Sequence, residues 1–260
     1  MDEHDQPPDA QTWAARWLRE AHRVTVLTGA GISTDSGIPD FRGPQGVWTR
    51  DPSAQALSTL DAYLADPQVR QRAWQSRLTH PVWQARPSAG HRALAAFERT
   101  GRLRGLVTQN IDGLHQAAGS SADLVIEIHG TVHWVTCLSC RQRTPMPTVL
   151  RRVEAGEADP PCRTCGGIQK SATISFGEAL DPQVLTAAAL ASGECDLFLA
   201  VGTSLSVYPA AGLVDHAVSH GARLVIMNAE PTPYDRLAGA VIRAPIGAAL
   251  PALLAATTDP

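Results

Sequence analysis

Short apolar runs, each closing in a glycine or a polar turn, recur at Val24–Leu27, Leu106–Val107, Leu124–Ile128, Leu197–Val201, Leu224–Met227 and Ala240–Ile242. Runs of aliphatic and β-branched residues without a polar alternate suit strands covered on both faces, the condition of a parallel sheet. Stretches with helical spacing lie between them. Ala10–His22 gathers Trp13, Trp17 and Leu18 on one face, while Ser88–Arg99 opens on a capping serine and gathers Ala93, Leu94 and Phe97. Pro182–Ala191 and Val207–His220 read as further helices. This alternation predicts an α/β fold with a doubly wound, Rossmann-like parallel sheet.

Two stretches break the alternation. Gly43–Arg86 is rich in Gln, Arg, Trp and Pro, with helices expected near Ala56–Ala65 and Gln68–Leu78. Thr131–Ser175 holds paired cysteines and prolines at Pro145, Pro147, Pro160 and Pro161. Taken as insertions, they divide the chain into a Rossmann-like domain and a smaller domain. The first comprises 10–43, 87–130 and 176–256; the second joins a helical insertion, 44–86, to a zinc-binding module, 131–175.

Composition narrows the function classes. With 44% hydrophobic and 18% charged residues, the chain can bury a core and is not generally disordered. A net charge of −3 gives no bulk field for nucleic acid, and none is expected as a partner. No apolar run nears the roughly 20 residues a membrane span needs. The acidic, proline-bearing Met1–Ala10 lacks the order of a signal peptide, so the expected compartment is cytoplasmic.

Cys137-Leu-Ser-Cys140 and Cys162-Arg-Thr-Cys165 are two CxxC pairs with 21 residues between them. Each pair can aim both thiolates at one ion, and two pairs close a tetrahedral zinc site with no position left for a substrate. One structural zinc is expected, held by Cys137, Cys140, Cys162 and Cys165. Cys195, alone at a strand start, reads as a small core residue.

Val24–Thr28 runs into Gly29-Ala30-Gly31. Glycines there permit positive φ and close approach of a phosphate, with the N–H groups of a following helix aimed at it. Read alone, this is equally a nucleotide cradle or a plain turn. Thr34 stands where a dinucleotide fingerprint has its third glycine, and no acidic residue closes a second strand, so a dehydrogenase fits poorly.

The continuation decides between them. Gly29–Gly43, GAGISTDSGIPDFRG, resembles the signature of the sirtuin family. Thr108–His115 (TQNIDGLH), His129-Gly130, the four cysteines, Phe176-Gly177-Glu178, Gly202–Val207 (GTSLSV) and Asn228-Ala229-Glu230 follow in the family's order. The resemblance spans about residues 10 to 255. It implies an NAD-dependent protein lysine deacylase, which transfers an acyl group from lysine to ADP-ribose and releases nicotinamide.

By that match Gly29, Ala30, Gly31, Asp40, Phe41 and Arg42 lie along NAD, and Gln109, Asn110 and Asp112 hold its nicotinamide side. Gly202, Thr203 and Ser204 meet a ribose or phosphate; Asn228, Glu230 and Ile246 take the adenosine. His129 is the implied base, a role histidine's ordinary pKa suits, and Asn110 its catalytic partner. His115 is expected to support local structure. The acyl-lysine peptide is expected to add as a strand between Phe176, Gly177 and Glu178 on one side and Leu205 and Val207 on the other. Trp74 and Arg77 fall where members preferring acidic acyl groups carry Tyr and Arg, so the hydroxyl donor is missing and the cation kept. Mono-ADP-ribosyl transfer, preference for longer or acidic acyl groups, and binding without turnover are the competing expectations. His129 and Asn110 together argue against the last.

Overall fold

The computed structural model describes residues 9–41, 43, 46–50 and 59–257. The chain passes through α1 (Ala10–Glu20), β1 (Val24–Thr28), a helical turn at Val47–Arg50, α2 (Leu60–Ala65), α3 (Pro67–Leu78) and α4 (Ala89–Glu98). It continues through β2 (Leu103–Thr108), a turn at Leu114–Ala117, β3 (Val125–Glu127), β4 (Gly130–Cys137), β5 (Arg143–Pro145), α5 (Met146–Glu154) and β6 (Gln169–Thr173). It ends with α6 (Pro182–Gly193), β7 (Leu197–Val201), α7 (Gly212–Ser219), β8 (Arg223–Met227), β9 (Ala240–Ile242) and α8 (Ile246–Ala255).

Six of these strands form one parallel sheet in the order β3-β2-β1-β7-β8-β9. They are the six apolar runs of the sequence. The period of two divides their side chains between layers. Leu197, Leu199, Val201, Val225 and Met227 pack with α1, α4 and α8 on one face. Phe198, Ala200, Leu224 and Ile226 pack with α6 and α7 on the other. A second, antiparallel sheet joins β5, β4 and β6 in that order.

Two helices start later than expected, and two lie where none was expected. α7 begins at Gly212 and not at Val207, because Pro209 has no N–H to donate and restrains the residue before it. α2 begins at Leu60, capped by the Thr59 hydroxyl, which accepts from Ala62 N at 3.3 Å; residues 56–58 lie outside the described residues. α5 starts inside the proline cluster, where Pro147 occupies the first turn and its missing N–H costs nothing. α8 has apolar residues all round and Pro251 inside, so no polar face marked it as a helix.

A third core gathers Trp74 and Val82 from the first insertion with Val132, Val135, Met146, Val149, Leu150 and Val153 from the second. Polar links reinforce it. Arg70, 8% exposed, donates to the Tyr63 and Leu64 carbonyls that end α2 and pairs with Asp159 at 2.7 Å. Tyr63 donates to Gln169 O at 2.6 Å.

The large sheet reverses its winding between β1 and β7, and two glycine loops cross there. Gly29 N donates to Val201 O at 3.0 Å and Gly31 N to Gly202 O at 2.9 Å. Gly29 is extended, with φ −127°, so its glycine is required by close approach and not by the positive φ anticipated for the turn. The helix expected after it is two short 3-10 turns, Ala30–Ile32 and Thr34–Ser36. Gly202 does sit at positive φ, +62°, and a methyl there would lie 2.6 Å from Ile32 N. Gly202→Ala should therefore cost about 2 kcal/mol or more, through strain and collision together, read as a lowered urea midpoint at unchanged slope. A midpoint equal to wild type would contradict this account of the loop crossing.

Candidate active site and metal centre

All six parallel strands deliver their carboxyl ends to one edge, where an α/β sheet opens its ligand crevice. Backbone bonds carry the alignment past the strand ends. Ile128 N donates to Thr108 O at 3.0 Å, Gln109 N to Thr28 O at 2.9 Å, Gly202 N to Met227 O at 2.8 Å and Asn228 N to Ile242 O at 3.1 Å. His129, Gln109–Asp112, Gly29–Gly31, Gly202–Ser204, Asn228 and Glu230 therefore stand in a row along the edge.

At the centre, Asn110 is 8% exposed and its amide donates to Gly29 O at 3.0 Å and Ser33 Oγ at 3.1 Å. Ser33 Oγ donates to Asp112 Oδ2 at 2.7 Å, while Asp112 Oδ1 accepts from Leu114 N at 2.9 Å. Gln109 Nε2 donates to Thr203 Oγ1 at 2.8 Å, tying the edges of β2 and β7. Ser33 joins two residues expected at the site, yet it had no assigned role. Its signal was its place inside the glycine-rich signature.

His129 sits beside this cluster, its Nδ1 3.1 Å from Gln109 O. A carbonyl can only accept, so Nδ1 carries the proton and Nε2 keeps its lone pair. Burial lowers the pKa of the imidazole below its ordinary value, opposed by the bond to Gln109. The ring is thus held neutral, with one nitrogen free to take a proton.

Asp40 closes the signature, Oδ1 accepting from Gly43 N at 2.8 Å and its carbonyl from Val47 N at 2.9 Å. A cleft of about 260 Å³ beside it is lined by Thr34, Gly37, Ile38, Pro39, Asp40 and Arg50. Phe41 is 43% exposed. Arg42 lies outside the described residues. On the far side, Asn228 Nδ2 donates to Glu230 O at 2.8 Å, and Arg243 Nη1 donates to the carbonyls of both at 2.7 Å. Ile246, at the start of α8, stands over Gly90 beside Ile32.

Among the substrate-side residues, Phe176 O accepts from Leu60 N at 2.9 Å, and Gly177 turns at φ +81°. Glu178 turns its carboxylate inward, to Lys170 Nζ at 2.9 Å and Ser175 N at 2.9 Å. Leu205 is buried at φ +52°, its N–H held by Thr203 Oγ1 at 3.2 Å, and Val207 O accepts from Ala211 N at 2.9 Å. Trp74 is 1% exposed in the third core, where Ile38 and Ile111 also pack. Arg77 donates to Ser171 Oγ at 3.2 Å. Burial first, and then the Arg77 charge, lowers the pKa of His80.

Behind the edge, the Thr28 hydroxyl links Thr108 Oγ1 and His115 Nε2, each at 2.9 Å, and His115 lies 4.8 Å from His91 between ring centroids. His115 has the supporting place expected of it. Burial pushes His91 to about 4 and His115 to about 3, both below histidine's ordinary pKa of about 6.5. The unfolded chain thus binds protons that the folded chain refuses. The neutral pair's contribution is complete above about pH 6.5 and declines as pH falls toward those values, by up to about 2.7 kcal/mol per pH unit for two protons. Unfolding free energies from pH 7 to 4 should show this decline, and His115→Gln should flatten it. A flat wild-type profile would refute the buried neutral pair.

The four paired cysteines converge at the knuckle end of β4 and β6. Their sulfurs lie within 4.8 Å of one another, with Cys137–Cys165 at 3.5 Å and Cys140–Cys162 at 3.7 Å. Tetrahedral zinc with sulfur ligands near 2.3 Å needs sulfur pairs about 3.8 Å apart, so the cluster fits one ion. Zinc there cross-links the knuckles, and four thiolates leave no position for a reactant. Cys195 is 4% exposed and donates to Ser192 O at 3.1 Å, a core residue as expected. A strong chelator should melt the β4–β5–β6 module before the large sheet, followed as a separate low-temperature transition; no change on complete metal loss would refute the structural role.

A model of the Sir2 family matches residues 29–209. A protein named NAD-dependent protein deacetylase 2 from Streptomyces coelicolor is 58% identical over 231 residues, covering 89% of this chain and 96% of that protein. A solved Sir2 variant with a deacetylated peptide and 3′-O-acetyl ADP-ribose superposes with a TM-score of 0.87 at 33% identity, covering 97% of this chain and all of that one. A second, bound to a propionylated peptide, gives 0.81 at 34% identity over 91% of this chain and 94% of its own. With a family model over residues 29–209 and a relative 58% identical across most of its length, this chain belongs to the Sir2 family.

Proposed function

We propose that the protein is an NAD-dependent protein lysine deacylase of the deacetylase type. The observation that carries the reading is His129, neutral, with Nδ1 committed to Gln109 O and Nε2 available at the crevice. NAD, when bound, supplies an activated ribose from which nicotinamide leaves and to which the acyl group passes. The crevice suits such a dinucleotide: it opens at the reversal of the sheet, and Gly29, Gly31 and Gly202 keep its floor free of side chains.

Each residue then has a task. Gly29, Ala30, Gly31 and Gly202 bring backbone close to the phosphates, with Thr203 and Ser204 beside them. Asp40 fixes the turn beside Phe41, which excludes water from the reacting sugar, and Arg42 offers its cation to phosphate or ribose oxygens. Asn110 and Asp112, oriented by Ser33, hold the nicotinamide side together with Gln109. Asn228, Glu230 and Ile246 take the adenosine. His129 Nε2 accepts the proton of a ribose hydroxyl once the acyl oxygen has attacked the sugar.

The acylated lysine enters as a strand between Phe176–Glu178 and Leu205–Val207. Trp74 and Arg77 border the acyl end, where a succinyl carboxylate would keep a cation but lose the hydroxyl donor, which weakens the case for an acidic acyl group. The crevice belongs to the proposed Rossmann-like domain of 10–43, 87–130 and 176–256, and the peptide edge borders the smaller one of 44–86 and 131–175. No described helix is long and apolar enough to cross a membrane. None of the five cysteines is joined in a disulfide, which supports the cytoplasm as the compartment.

Incubation with NAD and acetylated, succinylated or long-chain acylated peptides tests this through nicotinamide release and peptide mass. Release that depends on peptide, with loss of the acyl mass, is expected, fastest for acetyl. His129→Ala should lower turnover by about a hundredfold or more, with zinc content and circular dichroism unchanged. Label passing from NAD to protein without acyl loss would replace deacylation by mono-ADP-ribosyl transfer.

A further inference from the structure

Lys170 is a charged residue enclosed in the protein, its side chain 5% exposed. Its ammonium meets acceptors on three residues: Ser171 O at 3.2 Å, Thr173 O, and Glu178 Oε2 at 2.9 Å. Burial lowers its pKa, and the Glu178 carboxylate opposes that shift. An enclosed cation persists only where such partners replace water.

The segment these contacts close is unusual in its surroundings. Lys170 lies on β6 opposite Thr136 of β4, one pair from Cys137↔Gln169 at the zinc knuckle. At the other end of the same ladder Gly130 pairs with Thr173, and Ile174 N donates to His129 O at 2.9 Å. The segment leaving β6 is thus bonded directly to the backbone of the proposed base. Beyond it the Phe176-Gly177-Glu178 turn folds back, and the same Glu178 oxygen that receives Lys170 accepts from Ser175 N at 2.9 Å. One side-chain pair therefore spans the turn from before its start to its last residue.

We propose that Lys170 is a positioning residue for the acylated peptide: its enclosed contact with Glu178, Ser171 and Thr173 holds residues 174–178 as a preformed strand edge against His129. This rests on the deacylase reading above. A strand-adding ligand gains most from an edge that needs no ordering on binding. Loss of the ammonium leaves Glu178 without its cation and frees the turn, so the cost falls on peptide binding. The NAD crevice, built from the β1, β2 and β7 loops, keeps its own contacts.

The test compares wild type, Lys170→Met, Lys170→Arg and Glu178→Gln, each checked for four-thiolate zinc content and circular dichroism. Wild type must first show peptide-dependent nicotinamide release; its absence would overturn the deacylase reading instead. Given that activity, Lys170→Met should raise the KM for acetyl-peptide about tenfold or more, with the KM for NAD and kcat within about threefold. Lys170→Arg should recover most of the loss by keeping the cation, and Glu178→Gln should raise the peptide KM in the same direction. If Lys170→Met does not fold, the arginine and glutamine variants decide alone. Peptide KM values within twofold of wild type in Glu178→Gln, or equal losses in both KM values and kcat, would overturn the proposal.

Discussion

Where the large sheet reverses its winding, Gly29 and Gly31 lie against Gly202 with no room for a side chain on either loop. The contact is made of backbone hydrogen bonds, so it is short and has a single register. Everything on the carboxyl edge takes its position from it. Asn110 bonds to the Gly29 carbonyl, Gln109 reaches Thr203 immediately after Gly202, and Ser33 extends from the same loop to Asp112. The cradle that reads as an invitation to a phosphate is first a solution to packing two loops together. Its open face follows from the absence of side chains that the packing imposes.

The small module enters the site by a different route. His129 leads straight into β4, and β6 leads straight into the proposed peptide-side segment, so one antiparallel ladder carries the proposed base at one end and the cysteine knuckles at the other. Zinc has no reactant to polarise. Its effect is geometric: cross-linking the knuckles limits how far the paired strands can slide, and register governs which face each side chain occupies. Tyr63, Arg70 and Trp74 add the helical insertion to the same body, through Gln169, Asp159 and the third core.

Enclosed polar groups divide here by purpose. Thr28, Thr108, His91 and His115 form a neutral layer beneath the edge, where burial suppresses charge and the hydroxyls satisfy one another. Lys170 keeps a counter-ion within reach and spans a turn. Such an enclosed pair fixes geometry more dependably than it adds stability. The first keeps an uncharged layer behind the edge, and the second fixes a turn beside it.

The sequence by itself determined the fold class, the six parallel strands, the zinc ligands and the family. Those properties reside in local patterns: continuous apolar runs, two CxxC spacings, and the signature from Gly29 to Gly43. Helices α5 and α8 are not legible in the sequence, because prolines and an all-apolar composition mask their helical period. The start of α7 is not legible in the apolar spacing, because Pro209 outweighs it. Tertiary structure alone decided why Gly29 and Gly31 must be glycine, since the reason is a loop 170 residues away. It also decided the tautomer of His129, set by a carbonyl on another strand, and the inward turn of Glu178 toward Lys170. Each of these depends on distances between segments remote in sequence, and no local pattern of residues encodes such a distance.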